Sequence, residues 1–266
     1  MTISNRAVRT GGKNKTKAKL IYAVTAGALD DDLDDLFGIN KAPIYSLNAE
    51  GVGVVISDLP STQLRPDRRN IMAHSEILKR LMSQTTVLPV RFGTIAAGDR
   101  AIQRFLSQYK HQLVEQLERL QDRVEMGLRV SWNVPDIYEY FVRQYPELRR
   151  QRDQVYGTGS KPGRDERINL GHMYDKLVNE ARSAHRERLE QIILPSCDAI
   201  CSNTPKNEKV VLNLACLVRR DNLAAFERQI AEAADIFDDS YTIDLNGPWA
   251  PHNFVDLDLK AITGRS

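Results

Sequence analysis

The residues able to do chemistry are few and poorly grouped in this chain. Asp30, Asp32 and Asp34 have the alternate spacing of a calcium loop, but Asp35 stands where the sharp-turn glycine belongs. Lys41 occupies the place of the bidentate glutamate, so that reading fails and a solvated turn or helix start replaces it. Gly12-Lys13 is followed by Asn14, and Gly157, Gly159 and Gly163 lack the spacing of a phosphate cradle. Cys197 and Cys201 are four apart and have no Cys or His companions; with Cys216 they read as buried free thiols. There is no Gly-x-Ser-x-Gly elbow and no base beside a nucleophile. His74 alone among the histidines falls on the inner face of an amphipathic stretch, as a satisfied core histidine or a polar contact to a neighbouring strand. His111 and His185 read as solvated, and His172 and His252 have no ligand-like neighbours. The expectation is a protein without catalytic residues, metal or cofactor.

The elements that must position any functional surface are clearer. The 266 residues, 42% apolar and 27% charged, suit one large domain or two ordinary ones. No apolar run approaches a spanning helix and no signal segment opens the chain, so a cytoplasmic protein without a membrane association is expected. Six cations and no acid lie in residues 1–19; against a net charge of +2, the remaining body carries −4. That front segment is too polar to fold alone and reads as a disordered basic tail. Nucleic-acid binding through it is a low-ranked reading, because the body is acidic and lacks an aromatic-basic sheet pattern.

Strands are expected at Lys19–Thr25, Ile44–Leu47, Val52–Ser57, Val87–Phe92, Val124–Trp132, Val210–Val218 and Tyr241–Leu245, with a weak one near Ala199–Asn203. Asn48-Ala49-Glu50-Gly51 supplies a hairpin turn. Helices are expected from Pro66 to about Ser83, with Ile71, Ser75, Leu78 and Leu81 or Met82 inward, and over Asp99–Gln121, from about Pro135, over Arg164–Leu194 and over Asp221–Ile236. Hairpins rather than regular βαβ repeats argue an α+β protein. From Val124 on, the order resembles a ferredoxin-like βαββαβ unit.

Two compact signatures stand out. In Val87-Leu88-Pro89-Val90-Arg91-Phe92-Gly93-Thr94, a proline inside a strand marks an edge and leaves Arg91 beside it, as a surface ion pair or a contact residue. In Gly247-Pro248-Trp249-Ala250-Pro251-His252-Asn253-Phe254, Gly-Pro must end or bulge the preceding strand. The aromatics Trp249 and Phe254 are then either a plug for the core or an anchor for a partner.

Together with Leu20-Ile21-Tyr22-Ala23-Val24, Ala73-His74 and Leu212-Asn213-Leu214-Ala215-Cys216-Leu217-Val218, these segments resemble the gas vesicle GvpF/GvpL family over about residues 19–258. Ala250 replaces an expected second proline, and the basic tail is an addition. The resemblance implies two α+β domains behind the tail 1–18, residues 19–121 and residues 122–266, the second a modified ferredoxin-like fold. It further implies an accessory or minor structural protein of the gas vesicle and cytoplasm that binds the hydrophobic main shell protein, with other gas vesicle accessory proteins as further partners. Arg91, Pro248, Trp249 and Phe254 are the expected partner-binding residues. The alternative, from fold analogy alone, is a ligand-sensing regulatory module.

Overall fold

The computed structural model describes residues 18–27, 29, 33, 36–60, 63–157, 163–259 and 262. The tail 1–17, all of the acidic run 30–35 except Leu33, and residues 158–162 of the glycine-rich loop lie outside the described residues. Contacts divide the chain into two units: residues 1–121 with 250–266, and residues 122–249. The break between the units falls between Gln121 and Asp122, and residues 250–266 group with the first unit.

The first unit is built on β1 (Ala18–Ala26), β2 (Ile44–Ala49), β3 (Val52–Leu59), α1 (Arg68–Met82), β4 (Val87–Pro89), β5 (Ile95–Ala96) and α2 (Asp99–Arg119). Its antiparallel sheet has the order β2-β3-β1-β4, with β5 also paired to β1. The apolar runs of β1 and β3 are covered on both faces: Leu20 through Val24 and Val54 through Ile56 are all buried. The β2–β3 turn is tighter than expected. Asn48 and Ala49 stay in the ladder, and the two-residue loop is Glu50-Gly51, both at positive φ (52° and 87°), the geometry a twisted hairpin requires.

Asp67 caps α1 by accepting the Asn70 N–H at 2.8 Å. The buried face of α1 is His74, Ile77, Leu78, Leu81 and Met82. Ile71 and Ser75, expected inward, are exposed; the stripe is rotated so that His74, not its apolar neighbour, enters the core. On α2, Ile102, Phe105, Leu106, Leu113 and Leu117 are buried, with Leu120 just past its end.

Lys19, the first residue of the expected strand, is a buried residue of β1. Its Nζ lies 2.6 Å from Asp58 Oδ1, 2.6 Å from Tyr45 Oη and 3.2 Å from Asp99 Oδ1. Burial disfavours the ammonium, yet hydrogen bonds to Asp58, Tyr45 and Asp99 outweigh it and hold Lys19 above its ordinary pKa. One side chain thus ties β1, β2, β3 and the start of α2.

The second unit contains β6 (Arg123–Trp132), α3 (Ile137–Gln144), α4 (Pro146–Tyr156), α5 (Arg164–Ile193), β7 (Ala199–Ser202), β8 (Val210–Arg219), α6 (Leu223–Ala234) and β9 (Tyr241–Trp249). Its sheet is antiparallel in the order β7-β8-β6-β9. Val124, Met126, Leu128, Val130 and Trp132 alternate inward from β6. The 30-residue α5 buries only Leu170, Leu177, Val178, Leu189 and Ile193. The helix expected from Pro135 is two, because Pro146 cannot continue α3 and opens α4 instead. Cys201 lies on β7 and Cys197 precedes it, so the two thiols do not share a helix.

Replacing Lys19 by Met should leave Asp58 and Asp99 facing each other without their shared cation and cost about 2 kcal/mol. Lys110, whose pair with Glu50 is solvent-exposed on both sides, should cost under about 0.5 kcal/mol when replaced by Met. Urea denaturation midpoints of the two variants check the contrast.

Candidate partner-binding groove

The path of the first signature is set by backbone pairing. Val87, Leu88 and Pro89 pair with Thr25, Val24 and Ala23, and the Val90 N–H donates to Tyr22 O at 2.9 Å. The chain then leaves the ladder and returns where Ile21 N–H donates to Thr94 O at 3.0 Å, after which Ile95 and Ala96 pair with Leu20 and Lys19. The strand expected over Val87–Phe92 therefore stops at Pro89, and Arg91-Phe92-Gly93 form an outward excursion. Thr94 closes it: its N–H and its Oγ1 both donate to Arg91 O, at 3.2 and 2.8 Å. Gly93 has φ +82°, the left-handed geometry that the third residue of such a turn needs. The Arg-Phe-Gly-Thr sequence is thus a turn that presents the exposed Arg91.

Leaving the ladder would orphan the buried Val90 carbonyl, and a backbone acceptor without a partner is costly. His74 from α1 supplies the donor, Nε2 to Val90 O at 3.0 Å. Its ring packs 5.3 Å from that of Tyr22 and edge-on to Phe92 at 5.6 Å. Nδ1 is buried and lacks a hydrogen-bond partner among the described residues. Burial, with a smaller contribution from His252, pushes the His74 pKa down to about 4, while the Val90 bond opposes it. His74 is therefore a half-satisfied core histidine making a polar contact to the end of a strand, which unites the two readings the sequence left open.

The second signature divides between the units. β9 does not end at Gly247-Pro248: it continues to Trp249, which pairs with Glu125 after a register shift. Gly247 makes the passage possible, having φ +125° and space for no Cβ, which would meet Met126 Sδ at 2.8 Å and Glu125 O at 3.0 Å. Pro248 is exposed and follows a cis peptide bond. Trp249 is 43% exposed with its Nε1–H donated to Asn246 Oδ1 at 2.8 Å, so it does not plug the core. The buried residues of the segment are Ala250 and Pro251.

From Ala250 the chain belongs to the first unit. A 3-10 turn, His252–Phe254, leaves Phe254 half-buried, and α2 clamps this turn and the residues just after it. An Arg119 Nη donates to Phe254 O at 2.6 Å. Gln116 grips the Asp256 backbone twice, donating to its O at 2.6 Å and accepting its N–H at 2.8 Å. Neither Gln116 nor Arg119 carries a sequence signal, since polar residues on an exposed helix face look like ordinary solvation.

These two paths meet. Pro89, Val90, Arg91 and Thr94 from the first signature, and His252 and Asn253 from the second, line one groove of about 600 Å³. Val255, Leu257 and Leu259 add apolar surface, and Asp256 and Asp258 add acids. Of the four residues expected to bind a partner, Arg91 is in this groove. Phe254 sits in the turn beside its lining residues, while Pro248 and Trp249 are on β9 of the second unit.

Elsewhere, His185 is not solvated as expected: it is half-buried, bonded to Tyr241 Oη at 2.9 Å and tilted against Phe237 at 5.1 Å. Contact with Cys197, then burial, pushes the Cys216 thiol well above its ordinary pKa, which makes it a poor nucleophile. Among the described residues no His, Cys, Asp and Glu cluster suits a metal ion, and no helix is long and apolar enough to cross a membrane.

The His74 geometry predicts acid sensitivity. Below the ordinary histidine pKa of about 6.5 the unfolded chain takes up a proton that the folded one refuses, so stability falls between about pH 6.5 and pH 4. The contribution reaches up to about 3 kcal/mol at the acid end. His74→Gln, which keeps a donor for Val90 O, should flatten this part of the profile in urea melts run at several pH values.

Comparison with known proteins gives a consistent answer. The family profile described as Gas vesicle synthesis protein GvpL/GvpF matches residues 18–256. Gas vesicle protein F of Nostoc sp. is 24% identical, covering 84% of this chain and 91% of its own length. Gas vesicle protein L1 of Halobacterium salinarum is 24% identical, with 82% and 83% covered. The fold resembles the crystal structures of GvpF from Anabaena (TM-score 0.79, 22% identity) and from Microcystis aeruginosa (TM-score 0.78, 21% identity), each similarity spanning 91% of this chain and all of the other. The backbone turn at Arg91–Thr94, the interrupted β9 and the groove where the signatures converge are therefore features of a chain that belongs to the gas vesicle GvpL/GvpF family and has its role in gas vesicle formation.

Proposed function

We propose that this protein is an accessory or minor structural component that binds the hydrophobic main shell protein during gas vesicle assembly, with other gas vesicle accessory proteins as further partners, and that it performs no catalysis. We read the second unit as a modified ferredoxin-like domain, its β6–β9 order following βαββαβ with the first crossover enlarged to three helices. The observation that carries the binding reading is the convergence of both signature segments on one groove lined by apolar and charged residues.

A shell subunit destined to face gas must expose apolar surface and strand edges before it assembles, and both invite aggregation. The first unit offers matching chemistry. In addition to the groove's Val255, Leu257 and Leu259, this unit exposes Phe37, Ile71 and Met72 elsewhere, at 61%, 45% and 58%. The groove engages its partner through side chains rather than by strand addition. Pro89 has no N–H to offer, and the Arg91–Gly93 excursion breaks the edge that a new strand would need. Trp249, half exposed on the edge strand of the other sheet, provides a second anchor.

Arg91→Glu and Trp249→Ala both alter exposed side chains and should leave thermal unfolding unchanged within a few degrees. Capture of the purified main shell protein by each variant should drop roughly tenfold. Undiminished capture by both folded variants would reject the proposed surface.

A further inference from the structure

The outward face of α1 is a surface that the groove does not use. The inner face of this helix is buried, and no α1 residue is among those lining the groove. On the outward side Ile71 and Met72 are 45% and 58% exposed. Arg68 and Arg69 lie one turn before Met72, Ser75 and Glu76 lie one turn after it, and Lys79 and Arg80 follow a turn later, all of them exposed. Arg65, also exposed, stands just ahead of the helix. Five cations thus surround two apolar side chains, against the acids Asp67 and Glu76, leaving a net +3 over residues 65–80.

Among the described residues none of these five cations forms an ion pair. Asp67 is occupied by the helix it caps, its carboxylate accepting the Asn70 N–H at 2.8 Å and the Asn70 side-chain amide at 3.0 Å. Glu76 stands four before Arg80 and can neutralise one neighbour at most. The arrangement also opposes the helix's own electrostatics. Unpaired N–H groups make the first turn of a helix positive and favour carboxylates there, yet α1 begins with two arginines and has no acid in that turn. Four of the five cations are arginines, whose planar guanidinium grips a carboxylate through two parallel N–H bonds. Met72 adds a flexible apolar contact that adapts to the shape of what it meets.

We infer that this face of α1 is a docking surface for an acidic amphipathic segment of another protein, an apolar stripe flanked by aspartate or glutamate, and that it acts separately from the groove. Charge complementarity selects an anionic partner, and the apolar centre selects among anions. A nucleic-acid backbone would set phosphates around Ile71 and Met72 and offer them nothing to pack on. A membrane surface takes up a helix through a broad apolar face, and that face of α1 is turned into the core of the first unit. A protein segment with both acids and apolar side chains satisfies both halves of the surface.

The test titrates fluorescent synthetic peptides of about 18 residues, long enough to form an amphipathic helix, into the full chain and follows anisotropy. One peptide carries a leucine stripe flanked by glutamates, the other the same stripe flanked by lysines. Saturable binding of the glutamate peptide is expected, about tenfold tighter than that of the lysine peptide. It should weaken several-fold as salt rises from about 50 to about 500 mM. Arg68→Glu with Arg69→Glu should reverse the preference, and it should raise the thermal midpoint slightly because acids suit that end of the helix. Such a gain for the lysine peptide is one that misfolding cannot imitate. Met72→Ser should weaken the glutamate peptide several-fold without changing its salt dependence. Arg91→Glu, in the groove, should leave its affinity unchanged within about twofold, so this surface and the groove fail or stand independently. No saturable binding, a preference that does not reverse, or an equal loss with Arg91→Glu would each overturn the inference. So would tighter binding to duplex DNA, or to vesicles containing about 30% anionic phospholipid, than to the glutamate peptide.

Discussion

Everything at the groove of the first unit depends on how the chain leaves and rejoins the edge of β1. A central strand buried on both faces cannot tolerate unpaired backbone beside it. The break after Pro89 is therefore possible only because Val90 N–H reaches Tyr22 O and His74 takes the Val90 carbonyl. The histidine contributes to this with one nitrogen buried and unpartnered, which makes it acid-sensitive. In return the Arg91–Gly93 turn is thrown outward with a defined geometry, Thr94 closing it through two bonds to one carbonyl. An unbroken edge strand would have left a template for indiscriminate pairing; this interrupted one presents a cation instead.

The other wall of that groove is built by different means. The described residues after Ala250 form no strand, and Phe254 and Asp256 are held by side chains of α2. Gln116 mimics a ladder partner for Asp256, and Arg119 holds Phe254 O. Side-chain amides and guanidinium groups on an exposed helix are weaker restraints than a sheet, so this wall should adapt more readily than the Pro89–Val90 wall when a partner arrives.

The two units reach stability by different routes. The first concentrates a buried ion network at Lys19, where four elements meet around one ammonium. The second relies on aromatic packing: Trp132, Tyr145 and Tyr174 each pack on the Phe141 ring in edge or stacked arrangements, and His185 packs edge-on to Tyr241. Tyr138, near the start of α3, extends the cluster by packing edge-on to Tyr174.

The sequence by itself determined the type of most elements and the α+β class, because periodicity and turn chemistry act over a few residues, and its signature segments pointed to the family. Val124–Trp132 and Asp99–Gln121 could be read locally for that reason. It also placed His74 inward, though it put Ile71 and Ser75 there too, a rotation of the helix that only packing against β1 and β4 settles. What tertiary structure alone decided depends on contacts between residues far apart in the chain. His74 finding Val90, Lys19 gathering Asp58 and Asp99, and residues 250–266 returning to the first unit are all of this kind. So is the fate of Trp249. Its type and the flanking prolines left both plug and anchor open, and the register of β9 against Glu125 left it 43% exposed. A side chain's burial is set by what the rest of the fold brings against it, and no local pattern encodes that.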